Sequence, residues 1–270
     1  MKTKNILRKQ LERVEKQEEK LLNKQENRLI KTKLAPAINS IESKIPVKLK
    51  ETFDIAFYKG FQLVFEKGNK YIEKTYNKDK IQLQYDLNNY AVERMLSKKN
   101  IKNLDKQANW SQMKNTSISV VEGIGFGILG IGLLDIPVFI SVIMKTIYEV
   151  ALTYGYNYES EQEKSFILLL ICGAMSKEDE KREYNDQIER LEQMMIMNID
   201  TVIDLQQQMK ITSDILSKAI LTAKFIQGFA IVGVVGGVVN YTIIRKIGIF
   251  AALKYKKRYI IEKSKKYTKK

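Results

Sequence analysis

The chain has 270 residues, a formal net charge of +15, no histidine and one cysteine. The absence of histidine excludes serine–histidine–aspartate and cysteine–histidine catalysis and histidine metal ligands, and a single cysteine forms neither an intramolecular disulfide nor a multi-thiolate zinc site. Only three prolines interrupt a sequence that is 44% hydrophobic, which favours an all-α protein with a sizeable core.

The positive charge is concentrated near both ends of the sequence. Residues 1–34 carry a net charge of +6 and residues 254–270 carry +8, whereas everything between them sums to +1. Basic terminal segments are typical of contacts with phosphate-rich surfaces, either anionic lipid or nucleic acid. We therefore divide the sequence into a basic N-terminal helix (1–34), a helical N-terminal region (35–109), a helical core (110–253) and a basic tail (254–270).

The first predicted element is a charged helix over residues 4–34. Its apolar residues Leu7, Leu11, Val14 and Leu21 keep a helical spacing before polar residues break the pattern. This helix either packs on the body of the protein or forms a short coiled coil. The segment lacks the apolar stretch of a secretory signal, which predicts a cytoplasmic N-terminus.

Two apolar stripes follow the N-terminal helix. The first lies within residues 48–76 and is rich in phenylalanine, and the second lies within residues 81–96. Stripes at helical spacing are typical of core helices rather than of ligand pockets. Residues 97–115 are polar and are predicted to be rich in loops.

Two glycine-rich apolar runs, 118–144 and 225–244, dominate the second half of the sequence. Each contains a GxxxG pair, a pattern that lets helix backbones approach closely. We therefore assign four glycines to helix packing: Gly123, Gly127, Gly233 and Gly237. The GxGxxG match at 125–130 does not predict a dinucleotide site because no strand precedes it, and we expect no cofactor and no metal.

The length of these runs leaves two alternatives open. The run 225–244 is uncharged and has the roughly 20 residues that span a bilayer. The run 118–144 contains Glu122 and Asp135, and charges at mid-bilayer make it a poor single span. The runs are therefore either inserted into a membrane, in whole or in part, or buried in the core of a soluble helical protein.

The local signals after the first run predict a sharply bounded helix. Asp135 is placed to cap its N-terminus and Pro137 suits its first turn. Lys145 and Glu149 are i,i+4 partners on this helix, and Gly155 is placed as its left-handed C′ residue.

The next signals predict either two or three further helices. Ser160 and Glu163 fit a capping box, which opens an apolar helix in which Cys172 is a small buried hydrophobe. Residues 178–224 have the apolar spacing of one long helix or of a helical pair.

The basic tail is predicted to contact an anionic surface. Cations next to an apolar segment gain about 1 kcal/mol each at an anionic membrane leaflet. The predicted contact residues are Lys254, Lys256, Lys257, Arg258, Lys263, Lys265 and Lys266. A plain solubilising tail is the alternative, and nucleic acid ranks third because no recognisable binding module accompanies the charge.

Several of these motifs together resemble the EcsC family. They are Leu133-Leu134-Asp135-Ile136-Pro137, the helix over 145–151, Tyr154-Gly155-Tyr156, the Glu161/Glu163 region and the stretch 230–240. The resemblance covers about residues 110–262, and the family pattern often has Arg where Lys145 stands and Asp where Asn157 stands. The family-motif residues are Asp135, Pro137, Lys145, Glu149, Tyr154, Gly155, Glu163 and Asn240.

The resemblance implies a bacterial, mostly helical, membrane-associated protein, and it supplies no catalytic residue. The family takes its name from a gene that neighbours an ABC exporter in Gram-positive bacteria. Partners expected on this basis are an anionic membrane surface and a protein, such as a transporter.

We expect an all-α, multi-helix bundle with two glycine-rich apolar helices, or a helical hairpin, packed at its centre. The expected function is that of a non-enzymatic accessory or scaffold protein at the cytoplasmic face of the cell membrane. One alternative is a soluble cytoplasmic binding module whose glycine runs are core. Another is a carboxylate-dependent enzyme that would draw on Glu122, Asp135, Glu149, Glu161 and Glu163.

Overall fold

The computed structural model describes residues 2–23, 43–109, 136–229 and 236–268. Within these ranges the ordered elements are helices and no strand occurs, which confirms the all-α prediction. The helices are α1 (Lys2–Leu22), α2 (Val47–Leu63), α3 (Asn69–Glu73), α4 (Lys78–Arg94), α5 (98–109), α6 (Ile136–Thr153), α7 (Glu161–Met175), α8 (Glu178–Ile196), α9 (Leu205–Phe229) and α10 (Gly236–Thr268). A π-helical turn, Val64–Gly68, joins α2 to α3.

Helices α6 and α7 form the centre of the described structure. Helix α6 packs against α2, α4 and α10, and α7 packs against α8, α9 and α10. Among the described residues, α6 is the one helix long and apolar enough to cross a membrane, and 72% of it is buried inside the protein. The apolar surface of α6 is therefore largely used by contacts with other helices.

The glycine runs are only partly covered by the described residues. Gly123, Gly127 and Gly233 lie outside them, as does Asp135, so their packing and capping roles stay predictions. Gly237 lies in the first turn of α10. Farther along α10, Ile243, Ile244 and Ile247 are buried in the core.

The two predicted apolar stripes have different outcomes. In the first, Phe53, Phe57, Phe61 and Val64 are buried as predicted. The second stripe is not a single buried face, since Leu83, Leu87 and Tyr90 are exposed, whereas Val92 is buried. Its residues alternate at every second position near the start, and such positions point to different sides of a helix.

Residues 98–109 form helix α5, so the predicted loop over 97–115 is wrong in this part. The side chain of Ser97 accepts a hydrogen bond from the backbone N–H of Asn100 at 3.1 Å, as an N-cap does. Ile101, Leu104 and Ala108 provide the narrow buried face of the helix. This i, i+3, i+7 pattern is hidden among polar residues in the sequence.

Residues 178–224 belong to a helical pair, α8 and α9, which was one of the two predicted arrangements. The chain turns at Asn198, whose φ of 52° lies in the left-handed region that asparagine tolerates well. Asp204 then caps α9, because its carboxylate accepts a hydrogen bond from the backbone N–H of Gln207 at 2.8 Å.

Helices α1 and α10 pack against each other over much of the length of α1. Leu7 and Val14 are buried in the core, so α1 is packed on the body of the protein, as one of the two predictions stated. The predicted boundary between a core and a basic tail at residue 254 falls in the middle of α10, which continues to Thr268. Tyr255, Tyr259 and Ile260 are buried and hold this part of the helix in the core.

Candidate functional site

The turn after α6 has the hydrogen bonds of a Schellman motif. The backbone N–H of Tyr156 donates to the carbonyl of Ala151 at 2.9 Å, and that of Gly155 donates to the carbonyl of Leu152 at 3.0 Å. Gly155 has a φ of +85°, which confirms its predicted role as the left-handed C′ residue. The turn directs Tyr154 and Tyr156 towards α10, because their rings lie 6.2 and 5.5 Å from those of Tyr259 and Tyr255.

Glu163 connects this turn to α10. The hydroxyl of Ser160 accepts a hydrogen bond from the backbone N–H of Glu163 at 3.1 Å, which is one half of the predicted capping box. The carboxylate of Glu163 accepts from the Tyr255 hydroxyl at 2.7 Å and from the Arg258 guanidinium at 2.8 Å. Each carboxylate oxygen of Glu163 therefore accepts a hydrogen bond from a side chain of α10. The guanidinium of Arg258 also lies 4.0 Å from the centre of the Tyr156 ring.

Further along the same contact, α1 and α8 supply carboxylates to two lysines of α10. Glu18 accepts hydrogen bonds from Lys254 and from Lys257, the latter at 2.5 Å. Glu189 accepts from Lys257 at 2.6 Å and lies 3.7 Å from the Lys254 ammonium. We call this set of buried and half-buried charges the α10 charge cluster: Glu18, Glu163, Glu189, Glu192, Lys254, Lys257 and Arg258.

Burial and the neighbouring carboxylates shift the pKa values of the three cations of the cluster in different directions. Burial lowers the pKa of Lys254 despite the neighbouring Glu18 carboxylate. Burial also opposes the charge of Lys257, but its hydrogen bonds to Glu18 and Glu189 outweigh that cost and raise its pKa. For Arg258 the Glu163 carboxylate likewise outweighs burial and raises the pKa.

Glu192 differs from the other carboxyl groups of the cluster. Lys254, Lys257 and Arg258 already face Glu18, Glu163 and Glu189, and Arg258 also pairs with Glu262, so a further negative charge in the same buried space has no counterion of its own. Burial raises the pKa of Glu192 to about 7, against the pull of Lys254, Lys257 and Arg258. Its Oε2 atom and the Tyr156 hydroxyl are buried without a hydrogen-bond partner among the described residues.

The predicted anionic-surface contact is wrong for the buried cations of α10. Lys254, Lys257, Arg258 and Lys263 are buried, and each is paired with a carboxylate of another helix. Such pairs form because an isolated charge is expensive to remove from water, whereas an opposite charge in contact offsets that cost.

The other three predicted contact residues differ in their exposure and in their partners. Lys256 is half-buried and donates to Asp105 at 2.7 Å, and Lys266 is exposed and donates to Glu93 at 3.0 Å. Lys265 is exposed, so its contact with an anionic surface stays a prediction.

A second polar cluster lies beside α6, close to two of the family-motif residues. The Tyr158 hydroxyl donates to Glu73 at 2.6 Å and lies 2.7 Å from the Tyr76 hydroxyl. Lys145 donates to the carbonyl of Thr75 at 3.0 Å, and Glu149 is buried. Burial favours the neutral form of Glu73, but the hydrogen bonds from Tyr158 and Lys78 outweigh it and lower its pKa.

The other family-motif residues lie apart from both clusters. Pro137 is in the first turn of α6, as predicted, and its carbonyl accepts from Ser141 at 2.8 Å. Tyr154 donates to Asp105 at 3.1 Å. The Asn240 Oδ1 atom is buried without a hydrogen-bond partner in the described part of the chain.

Among the described residues, Cys172, Ser217 and Lys50 are each held by burial or by a charged neighbour. Burial raises the pKa of Cys172 to about 12, which agrees with its predicted role as a buried hydrophobe. Ser217 donates to Asp54, which also pairs with Lys50. Burial disfavours the charge on Lys50, but Asp214 and Asp54 outweigh it and raise the pKa, so this lysine stays protonated and is no general base.

No group of three or more potential metal-ligating side chains occurs within residues 2–23, 43–109, 136–229 and 236–268. The carboxylates Glu149, Glu161 and Glu163 do not form one open site, because Glu149 and Glu163 are both buried and Glu163 is occupied by Tyr255 and Arg258, whereas Glu161 is exposed. The described arrangement is therefore that of a helical bundle whose buried charges join helices to one another.

Sequence reasoning missed a row of exposed cations on α1. Lys9, Arg13, Lys16 and Lys20 follow the spacing i, i+4, i+7, i+11, which places them on one face of the helix. All four are exposed and have no ion pair within the described part of the chain, and they lie opposite the buried face that holds Leu7, Gln10, Val14 and Glu18. We call these four residues the α1 cation stripe, and their spacing was the signal in the sequence.

No solved structure matches the chain significantly. The protein named "Protein EcsC" from Bacillus subtilis (strain 168) is 29% identical over 134 residues, which are 48% of this chain and 53% of that protein. The chain thus spans about half the length of the curated relative it matches.

The family match extends further than the motifs alone indicate. The family model described as "EcsC protein family" matches residues 8–260, so it includes most of α1 and all of α2 as well as almost all of the expected 110–262 region. Both halves of the Glu18–Lys254 contact lie within this match. The chain therefore belongs to the EcsC protein family.

Proposed function

We propose that this protein is a non-enzymatic helical scaffold that associates with the anionic surface on the cytoplasmic side of a bacterial membrane. In this function it serves as an accessory to a membrane system, of the ABC-exporter type that the family resemblance implies. The observation that carries the proposal is the α1 cation stripe, a straight row of four unpaired positive charges on the outside of the bundle.

The distribution of charge supports an external rather than an internal use of these cations. Five cations of α10 (Lys254, Lys256, Lys257, Arg258 and Lys263) are matched by five carboxylates (Glu18, Glu93, Asp105, Glu163 and Glu189). These sets cancel, so the surplus of +15 belongs to other residues of the chain.

The geometry of α1 supports a preformed binding face. Leu7 and Val14 are buried against the body of the protein, and Glu18 holds the helix to α10, so the opposite face is fixed in direction. From Lys9 to Lys20 the helix rises about 16 Å. A flat, negatively charged surface can therefore meet all four cations at once without a rearrangement of the helix.

The expected contribution is sizeable but depends on salt. Each lysine or arginine near an anionic leaflet contributes about 1 kcal/mol, so four contribute about 4 kcal/mol, or roughly a thousand-fold in the binding constant. Such attraction between solvated charges weakens as the Debye length falls with added salt.

Vesicle flotation tests the proposal. Full-length protein is mixed with vesicles of phosphatidylcholine alone, or of phosphatidylcholine and phosphatidylglycerol, at low and high salt. We expect flotation only with the anionic vesicles at low salt, and a loss of most binding in the variant Lys9→Gln/Arg13→Gln/Lys16→Gln/Lys20→Gln.

A second variant with the same net charge is the control. Lys59, Lys177, Arg190 and Lys210 are exposed cations on other parts of the bundle. Their joint replacement by Gln should leave most of the binding intact. Equal losses in both variants would show that net charge alone matters, and a protein that floats with neither vesicle would favour the soluble binding module instead.

A further inference from the structure

The α10 charge cluster contains one carboxyl group more than its cations can match. Each of its three cations contacts a carboxylate of another helix, and these carboxylates are Glu18, Glu163 and Glu189. Glu192 is the remaining carboxyl group of the cluster. It is 3% exposed, and its Oε2 atom is buried without a hydrogen-bond partner among the described residues. A buried charge without an opposite charge of its own is expensive, so the arrangement favours a protonated Glu192.

The groups that act on Glu192 come from several helices. Burial disfavours its charged form most strongly, Lys254, Lys257 and Arg258 of α10 favour that form, and Glu189 of α8 opposes it. Tyr156, in the turn after α6, is the neutral titratable group close to Glu192. The other carboxylates contact the same three cations, and they are Glu18 of α1, Glu163 of α7 and the partly exposed Glu262 of α10.

The contact between α1 and the bundle is polar as well as apolar. Among the described residues of α1, two apolar and two polar side chains are buried, namely Leu7, Val14, Gln10 and Glu18. Glu18 accepts hydrogen bonds from both Lys254 and Lys257. The stability of the docked α1 therefore depends on the balance of charge around these two lysines.

Glu18 and an ionised Glu192 are alternative partners for the same two lysines. Glu189 and Glu192 are three residues apart on α8, so they lie on one face of that helix. Glu189 contacts Lys257 at 2.6 Å and lies 3.7 Å from Lys254. With α1 docked, Glu18 and Glu189 match the two lysines and Glu192 stays neutral. With α1 undocked, Glu189 and an ionised Glu192 match them instead.

We propose that the docking of α1 is coupled to the binding of a proton by Glu192, so that α1 is held tightly while Glu192 is protonated and loosens when the proton is lost. The undocked helix takes the negative charge of Glu18 into water, and Glu192 replaces that charge. The coupling concerns the hold on α1 and is independent of what the α1 cation stripe binds.

The direction and the size of the effect follow from linkage. In the docked state the pKa of Glu192 is raised by burial from 4.5 to about 7, so docking takes up a proton and weakens as pH rises through this range. From pH 5 to pH 8 the population of undocked α1 should increase by roughly 50- to 100-fold. Histidine, the side chain that ordinarily titrates in this range, is absent from the sequence.

Hydrogen–deuterium exchange of the full chain at pH 5, 6, 7 and 8 measures the undocking. An isolated helix is marginal in water, so amides of α1 exchange once the helix has left α10. Exchange rates are divided by those of an unstructured chain, which removes the intrinsic effect of pH. We expect peptides of α1 to be less protected than those of the central helix α7 at every pH, and their protection to fall by roughly 50- to 100-fold from pH 5 to pH 8.

Two variants assign the effect to one carboxyl group. Glu192→Gln resembles the protonated side chain, so the protection of α1 should stay near the wild-type value of pH 5 over the whole range. Glu183→Gln makes the same change at an exposed position of the same helix and should keep the wild-type pH dependence. The α-amino group, which titrates near pH 8, is present in all three proteins and its contribution cancels.

Each contrary outcome overturns the proposal. Protection of α1 that does not change with pH in the wild type shows that undocking leaves the Glu192 proton in place. Equal protection of α1 and α7 at every pH shows that α1 opens only when the whole bundle unfolds. A fall confined to α8 shows that Glu192 reaches water by the opening of its own helix, and a pH dependence that survives Glu192→Gln belongs to another group.

Discussion

The buried ion pair between Glu18 and Lys254 predicts a large effect from a small substitution. Glu18→Gln keeps the size of the side chain but removes the carboxylate that Lys254 and Lys257 share. The Lys254 side chain is 0% exposed, so it cannot turn to water for compensation. Its other carboxylate, Glu189, is 3.7 Å away and already serves Lys257.

The magnitude follows from the cost of leaving a buried charge without its partner. Breaking a buried pair costs about 3–5 kcal/mol, and the remaining attraction of Glu189 places this case near the lower value, at about 3 kcal/mol. For a chain of this size, 1 kcal/mol corresponds to roughly 2–4 °C in the unfolding temperature, so Tm should fall by roughly 6–12 °C.

The neighbouring residue provides the control for this measurement. Glu19 pairs with Arg182 at 3.2 Å, but the side chains are 56% and 47% exposed. Exposed pairs contribute about 0–1 kcal/mol, so Glu19→Gln should lower Tm by no more than a few degrees. Thermal unfolding followed by circular dichroism compares the two variants under identical conditions.

A second substitution separates the loss of charge balance from other causes. In the double variant Glu18→Gln/Lys254→Met the buried ammonium is gone, and an unbranched apolar chain of similar length fills its place. Replacing buried ion pairs with apolar residues is often neutral or stabilising, so most of the lost Tm should return. Equal effects of Glu18→Gln and Glu19→Gln, or no recovery in the double variant, would refute the reasoning.

Two further predictions concern α8 and the turn after α6. Burial raises the pKa of Glu192 from 4.5 to about 7. The native state therefore binds the Glu192 proton more tightly than the unfolded chain does. As a consequence, the free energy of unfolding falls as pH rises from about 4.5 to 7. Glu192→Gln should remove this fall of about 3 kcal/mol in the free energy of unfolding. Urea unfolding of both proteins at pH 5 and pH 8 measures the difference. Identical pH dependence in the wild type and the variant would contradict the prediction. Gly155→Ala should destabilise the protein, by about 1–2 kcal/mol for a left-handed φ of +85° and by more because the new Cβ would overlap the Tyr85 ring. In a Tyr85→Leu background the same change should cost less, and an equal cost in both backgrounds would contradict the overlap.

The features that could be predicted from the sequence depend on residues a few positions apart. Gly155 follows the last turn of α6, and Ser160 precedes the first turn of α7, so each signal lies next to the structure that it sets. The phenylalanine stripe of α2 is also local, because its period alone defines one face of the helix. These predictions are confirmed by the hydrogen bonds and burial of the same residues.

The positions of the α10 cations could not be predicted in this way. Counting charges shows that residues 254–270 are basic, but not that Glu18 and Glu163 from distant helices neutralise Lys254 and Arg258. Tyr255 and Tyr259, four residues apart, carried a signal for a buried helical face that the surrounding lysines obscured. The α1 cation stripe was equally ambiguous, because only the burial of Leu7 and Val14 against the body of the protein decides that it faces outwards.

The Glu18–Lys254 contact also orders events during synthesis. The two residues are 236 positions apart, so at about 5–20 residues per second roughly 10–50 s pass between their appearances on the ribosome. Joining positions so far apart costs about 5 kcal/mol of chain entropy, which must be offset by the contacts formed at that moment. Helix α1 is therefore made well before α10, and during the interval its buried face lacks the helix against which it packs most extensively. A nascent chain of this protein thus exposes an amphipathic helix to solvent before α10 exists to pack against it.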